Sequence, residues 1–169
     1  MENVLDHKGI GISAEPIIGR SKLGQLVPVH VFRALRLEGM KEIAGRGANA
    51  IIYRGGRNLG YNIGQDISTR MSDPGNLNEY LTTVVHTFEQ LGIGIVSVAG
   101  GSFSDGQVYL QVDECVTCAG IPNIGETVCH FEGGVVAGII QNFTKSIVTC
   151  KEIQCWGKGD KSCVFEVKM

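Results

Sequence analysis

Cys129, Glu152, Cys155 and Cys163 bring three thiols and a carboxylate into the last third of the chain. Thiolates and carboxylates are the donors that a closed, tetrahedral zinc site takes, and thiolates accept iron as well. The stretch Trp156-Gly157-Lys158-Gly159-Asp160-Lys161-Ser162 reads as a turn, which places Cys155 and Cys163 on two arms of one hairpin. Their sulfurs can then share an ion at about 2.3 Å from each. Cys129 has to come from elsewhere in the fold, so a shared ion would clamp the last hairpin to the helix that follows Cys129. The donor set leaves such an ion with an excess of negative charge, which Lys151, Lys158 and Lys161 are close enough in sequence to offset in part. In a regular strand Glu152 and Cys155 would face opposite sides. The spacing therefore predicts a bulge or irregular turn between them.

All six cysteines lie between Cys115 and Cys163, a concentration that favours chemistry over packing. In a reducing compartment they read as free thiols or metal ligands rather than disulfides. Cys115 and Cys118 form a Cys-x-x-Cys pair, but Gly120 and Pro122 follow where a thioredoxin-like motif would open a helix. Three readings stay open for this pair: a second metal site, a dithiol redox switch, and packed thiols. Cys150 reads as core. His130 adjoins Cys129 and is either an alternative ligand or a packed residue.

The elements that must position these groups follow from periodicity. Val27 to Leu35, rich in Val and Phe with Pro28 near its start, predicts a strand, and Leu37 to Ala44 a short helix stopped by Gly45. From Gly47 to Thr69, Ile51, Leu59, Ile63 and Ile67 fall on one helical stripe. Gly56, Gly60 and Gly64 run beside it. Each glycine costs about 1 kcal/mol relative to alanine in a helix, so this spacing predicts that another backbone, in a sheet or a partner helix, approaches closely. Asn76 followed by Glu79 reads as a capping box for a helix with Leu77, Leu81, Val84, Val85, Phe88 and Leu91 on its apolar face, ended by Gly92. Ile93 to Ala99 and Gln107 to Asp113 predict a hairpin, Phe131 to Phe143 a glycine-containing helix, and Ser146 to Gln154 with Cys163 to Val167 a terminal hairpin. Antiparallel pairs with grouped helices predict an α+β fold, an antiparallel sheet with helices packed on it.

The 169 residues, 43% apolar, suffice for one domain of ordinary size. Residues 1–23 read as an N-terminal arm and residues 24–169 as the domain. A formal net charge of -2 argues against a phosphate-driven nucleic-acid binder. No segment reaches the run of about 20 apolar residues that spans a bilayer. Met1 to Pro16 carries Glu2, Asp6, Lys8 and Glu15 in place of a signal peptide's apolar core. The expected location is cytoplasmic. Gly55-Gly56-Arg57-Asn58-Leu59-Gly60 lacks the context of a dinucleotide site, and neither a phosphate-binding loop nor a nucleophile elbow is present.

The tract Thr127 to Gly138, with Cys129, Gly134 and Gly138, followed by Glu152, Cys155, Gly159, Asp160, Cys163 and Phe165, resembles the 4-vinyl reductase domain family over residues 108 to 169. The order of elements resembles it from about residue 24. In sensor members that respond to aromatic hydrocarbons the matching cysteines and glutamate bind zinc, which implies Cys129, Glu152, Cys155 and Cys163 as ligands here. The resemblance also implies a fold shared with the nitric-oxide-sensor and vesicle-tethering superfamily, a pocket for a hydrophobic small molecule, and a homodimer. This chain departs from those sensors at Cys115 and Cys118, where they tend to carry acidic and histidine residues. It carries no ATPase or DNA-binding segment, so a transcriptional output is not expected within it.

The reading that results is a stand-alone module that binds or senses a hydrophobic or aromatic small molecule, zinc-stabilised and more a binder than an enzyme. The pocket is expected between the glycine-rich helix, the Asn76 to Leu91 helix and the sheet, with Tyr61, Val84 and Phe88 as lining residues and His86 as a polar contact. Two alternatives accompany it. One is an enzyme or subunit of tetrapyrrole vinyl reduction. The other is a redox switch or assembly scaffold built on Cys115 and Cys118.

Overall fold

A computed structural model describes Lys22 and residues 26–169. The expected arm at residues 1–23 lies outside the described residues apart from Lys22. Helical structure comes first: α1 (Val29–Arg33) runs through a π-helical turn (Ala34–Gly39) into α2 (Met40–Ala44). A 3-10 turn (Gly45–Gly47) and α3 (Ala48–Arg70) follow. Then come α4 (Leu77–Gln90), β1 (Ile95–Ser102), β2 (Gln107–Asp113), α5 (His130–Thr144), β3 (Thr149–Gln154) and β4 (Cys163–Lys168). The four strands form one antiparallel sheet in the order β1-β2-β4-β3, which gives the expected α+β class.

The strand predicted over Val27 to Leu35 is a helix. Pro28 serves as its N-cap residue, a placement as natural for proline as a strand start, because its missing N–H would go unused in the first helical turn. The decisive side chains are spaced for a helix. Phe32 packs edge-on to Phe131 with ring centroids 5.7 Å apart, and Arg36, four residues on, lies 5.8 Å over the Phe32 ring. Leu35 stays on the outside, 68% exposed.

The glycine stripe of α3 meets α5 backbone to backbone. A Cβ on Gly56 would stand 2.1 Å from the Phe131 carbonyl oxygen, and one on Gly60 2.0 Å from that of Val135. The contact is reciprocal, since a Cβ on Gly134 or Gly138 would stand 2.1 Å from the carbonyl oxygens of Tyr53 and Arg57. The expected close approach is therefore between two helices. α5 is buried along most of its length and lies on the sheet through Val108, Leu110, Phe165 and Val167, which alternate onto one face.

α4 starts as the sequence indicates, with the Asn76 side chain accepting from the Glu79 N–H at 3.1 Å. The reciprocal half of the box does not form: the Asn76 N–H bonds the Asp73 carbonyl, and the Glu79 carboxylate accepts from Ser72. The helix covers the β1 side of the sheet. Tyr80 anchors it to α5 by donating its hydroxyl to the Ile139 carbonyl at 2.9 Å and by its ring, 4.6 Å from that of Phe143.

Candidate metal centre and apolar cavity

One end of the sheet gathers the cysteines. β2 ends at Asp113, Glu114 turns the chain with φ of 49°, and Cys115 to Ala119 form a tight turn in which the Cys118 and Ala119 N–H groups both donate to the Cys115 carbonyl. Cys129 is the residue immediately before α5, Cys163 opens β4, and Cys155 follows the end of β3. The register between β3 and β4 shifts between Glu152 and Gln154, so the irregularity demanded by the spacing is present. It lets Glu152, opposite Phe165, and Cys155 serve the same side.

The donor atoms of Cys129, Glu152, Cys155 and Cys163 all lie within 4.8 Å of one another. The Cys129 sulfur is 3.8 Å from that of Cys155 and 3.6 Å from that of Cys163, close to the roughly 3.8 Å edge of a tetrahedron with 2.3 Å metal–sulfur bonds. Glu152 spends one oxygen on the Cys129 N–H at 2.9 Å, while its Oε1 is buried without a partner. A buried carboxylate oxygen is costly to leave unpaired, and a cation among the sulfurs is the partner that this chemistry fits. Burial first, and the Cys155 thiol second, push the Glu152 carboxyl up to about 8. Hydrogen bonds from neighbouring thiols, Cys118 first, pull Cys115 and Cys155 far below the ordinary thiol range, whereas Cys129 and Cys163 are pushed up, by Cys115 first. Thiolates packed this closely repel one another, so ionising them all requires a cation in their midst. The N-terminus of α5 faces the same point with its partial positive charge. Lys151, Lys158 and Lys161 are exposed.

Cys115 and Cys118 belong to the same cluster. Cys115 lies 3.4 Å from Cys129 and Cys118 3.1 Å from Cys163, sulfur to sulfur, and Cys115, Cys118, Cys129 and Cys163 form a second group of donors within 4.8 Å of one another. Both thiols are buried. Cys150, half-buried, packs against the core, and burial pushes its thiol up. His130 stands outside both groups, and burial lowers its pKa.

The residues that hold the Cys115 turn come from the segment read from sequence as a strand and from the position just after it. Arg33 donates to the carbonyls of Val116 and Ala119, each at 2.8 Å. Arg36 is 5% exposed and donates to Thr117 Oγ1 and the Val128 carbonyl. Thr117 donates in turn to Glu132, a fully buried carboxyl that desolvation first pushes up to about 8 and that lies 3.8 Å from Arg36. The three-residue spacing of Arg33 and Arg36 was the signal available for this support, since it puts both on one helical face. The β-branched neighbours masked it.

The other end of α5 borders a partly open apolar cavity of about 60 Å³, lined by α4 (Val84, Phe88), β1 (Val96, Val98), β2 (Leu110) and α5 (Val136, Ile140). Its place differs from expectation: α5, not α3, forms the wall, because the glycine stripe seats α3 against the far side of α5. Val84 and Phe88 face the cavity; Tyr61 and His86 do not and are exposed. Tyr61 follows Gly60 on α3, which lies outside the wall. His86 sits two residues from both Val84 and Phe88, a spacing that turns it to the opposite side of a helix.

The V4R domain family matches residues 108–169. The uncharacterized protein MJ0150 of Methanocaldococcus jannaschii is 34% identical over 173 aligned residues, covering 100% of this chain and 94% of the relative. Among solved structures, the phenol-responsive sensory domain of the transcription activator PoxR with phenol superposes with a TM-score of 0.65 at 16% identity, covering 86% of this chain and 76% of that one. A vinyl-4-reductase family protein from Methanocaldococcus jannaschii gives 0.61 at 18% identity, covering 87% and 84%. A trafficking protein particle complex subunit 3 from Naegleria fowleri, covalently bound to palmitic acid, gives 0.64 at 14% identity, covering 83% and 91%. At these identities the likeness shows a shared fold. Among the described residues no helix is long and apolar enough to cross a membrane.

Proposed function

Since the chain belongs to the V4R domain family, we propose that it is a binding or sensing module for a small hydrophobic molecule, held in shape by zinc at Cys129, Glu152, Cys155 and Cys163. The observation that carries the ligand reading is the cavity between α4, α5 and the sheet, whose lining is almost wholly apolar. The phenol held by the PoxR sensory domain supports an aromatic ligand class for the shared fold. At about 60 Å³ the cavity is less than half the roughly 150 Å³ that admits benzene in an engineered core. A ligand of that size therefore projects past the open side of the cavity or is admitted as α4 moves outward from β1. Zinc, when bound, would supply a structural cross-link; Cys155 and Glu152 would tie the β3–β4 hairpin to the start of α5.

The test is an NMR titration of the zinc-loaded protein with phenol and toluene. Saturable shifts centred on Val84, Phe88, Val98, Val136 and Ile140 are expected, abolished by Val84→Phe and retained by Tyr61→Ala. No saturable binding of either probe, or equal binding by Val84→Phe, overturns the ligand reading. A homodimer belongs to the same proposal, supported by the apolar side chains of Leu35 and Ile43, 68% and 86% exposed; a monomer mass by light scattering would remove it. The thiol-switch alternative competes for the sulfurs of Cys115 and Cys118. Alkylation mass spectrometry under oxidising and reducing conditions separates the two, because metal-held thiols stay unlinked in both.

A further inference from the structure

Six donor side chains converge where one tetrahedral ion needs four. The two groups, Cys115, Cys118, Cys129, Cys163 and Cys129, Glu152, Cys155, Cys163, have Cys129 and Cys163 in common, and together they use every donor in the cluster once the two shared sulfurs are counted twice. We propose that the cluster holds two divalent ions of the zinc class, bridged by the Cys129 and Cys163 thiolates, with Cys115 and Cys118 completing one coordination shell and Glu152 and Cys155 the other. The inference rests on the reading that Cys129, Glu152, Cys155 and Cys163 hold an ion, and adds a second.

Three features favour it over a single ion. First, the shared pair is central: Cys129 lies 3.4 Å from Cys115, 3.8 Å from Cys155 and 3.6 Å from Cys163, sulfur to sulfur. A thiolate sulfur retains further lone pairs after binding one metal, so a sulfur with donors on both sides can bridge two. These separations approach the roughly 3.8 Å edge expected for tetrahedra with 2.3 Å metal–sulfur bonds. Cys118 and Cys163, at 3.1 Å, have to open slightly to reach it.

Second, the Cys115 turn is built as a ligand turn. The Cys118 and Ala119 N–H groups fold onto the Cys115 carbonyl, which brings both sulfurs to one side. Arg33 and Arg36 fix the surrounding carbonyls of Val116, Ala119 and Val128. Such support is more than two incidental core thiols require.

Third, the charge balances no worse than with one ion. Each added dication is accompanied by ionisation of two more thiols, so the net charge of the centre is unchanged while two further buried S–H groups gain partners. Formation releases those protons to solvent and requires no change of oxidation state.

The test is native mass spectrometry of the full chain purified and reconstituted with zinc under reducing conditions, with ¹¹³Cd NMR of the cadmium form. Two ions per chain are expected, with two ¹¹³Cd resonances that split each other through the bridging sulfurs. In Cys115→Ser/Cys118→Ser the stoichiometry should fall from two to one, and in Cys155→Ser one resonance should be lost. One ion in the wild-type chain that survives Cys115→Ser/Cys118→Ser overturns the second site but leaves the single-zinc reading standing. Two ions retained by that variant place the second elsewhere and also overturn the proposal. No bound ion overturns both readings.

Discussion

Gly60 and Gly55 lie in the same helix five residues apart, and alanine at the two positions should move stability in opposite directions. At Gly55 a Cβ would meet nothing within 4 Å, so the substitution should recover the helix propensity that glycine gives up, about 1 kcal/mol. At Gly60 the same propensity gain is opposed by a Cβ placed 2.0 Å from the Val135 carbonyl oxygen, 2.7 Å from its carbon and 2.8 Å from its Cα. These are backbone atoms of α5, so no side chain can rotate away. Relief requires α3 and α5 to separate by more than an ångström. Overpacking of this kind costs about 1–3 kcal/mol when only side chains resist, and here a reciprocal contact at Gly134 and Gly138 is pried open as well. A net loss of about 1–3 kcal/mol is expected for Gly60→Ala, or roughly 2–12 °C in Tm for a chain of this size. Urea unfolding of the two variants beside the wild type measures both signs. Gly60→Ala at or above wild-type stability would refute the backbone contact between α3 and α5, and with it the placement of α5 as the cavity wall.

Removing the metal with a thiol-tolerant chelator should lower Tm; a loss of about 3 kcal/mol corresponds to roughly 6–12 °C, and an unchanged melt after verified metal loss would contradict a structural role. Tyr80→Phe deletes the hydrogen bond to the Ile139 carbonyl and should cost about 1 kcal/mol in urea unfolding, loosening α4 against α5. Asn76→Ala removes the cap on the Glu79 N–H at a cost of about 1 kcal/mol, read in the same assay. For Glu132 the folded pKa, raised to about 8 by burial from 4.5, means that its contribution to stability is present below pH 4.5 and lost as pH rises through about 8. The stability difference between wild type and Glu132→Gln should therefore shift against the wild type over that interval, and a flat difference would show the carboxylate to be compensated by Arg36.

What the sequence made legible was what short-range spacing encodes. The Asn76 cap, the Gly45 and Gly92 stops, the buried part of the α3 stripe at Ile63 and Ile67 and the bulge between Glu152 and Cys155 each follow from a few neighbouring residues; Ile51, placed on the same stripe, is 52% exposed. The candidate donors were legible for a different reason: thiols confined to one region are chemically conspicuous wherever they fold. Val27 to Leu35 was misread because β-branched residues favour strands only weakly and context overrides them. Arg36, usually a surface residue type, was in fact the buried contact that holds this segment helical. Of the expected pocket residues, Tyr61 and His86 lie away from the cavity, where the question was which helix seats against which. The glycines announced that α3 meets a backbone; only the fold tells which one.

α5 joins the candidate metal centre to the cavity. Cys129 immediately precedes the helix, while Val136, Ile139 and Ile140 line the cavity, two to three turns along, or roughly 10–17 Å at 1.5 Å per residue. α5 is held along one side by the glycine contact with α3, which fixes separation between the axes but, being a row of small residues, resists sliding along the axis less than interlocked large side chains would. Its axial position is set instead at the ends, by the Tyr80 hydroxyl on the Ile139 carbonyl and by the sulfur cluster at Cys129. The ion proposed above, shared by Cys129 and the β3–β4 hairpin, would therefore set the register of α5 against the sheet, and through that register the shape of the cavity. A metal centre that never touches the cavity would in this way govern what fits into it.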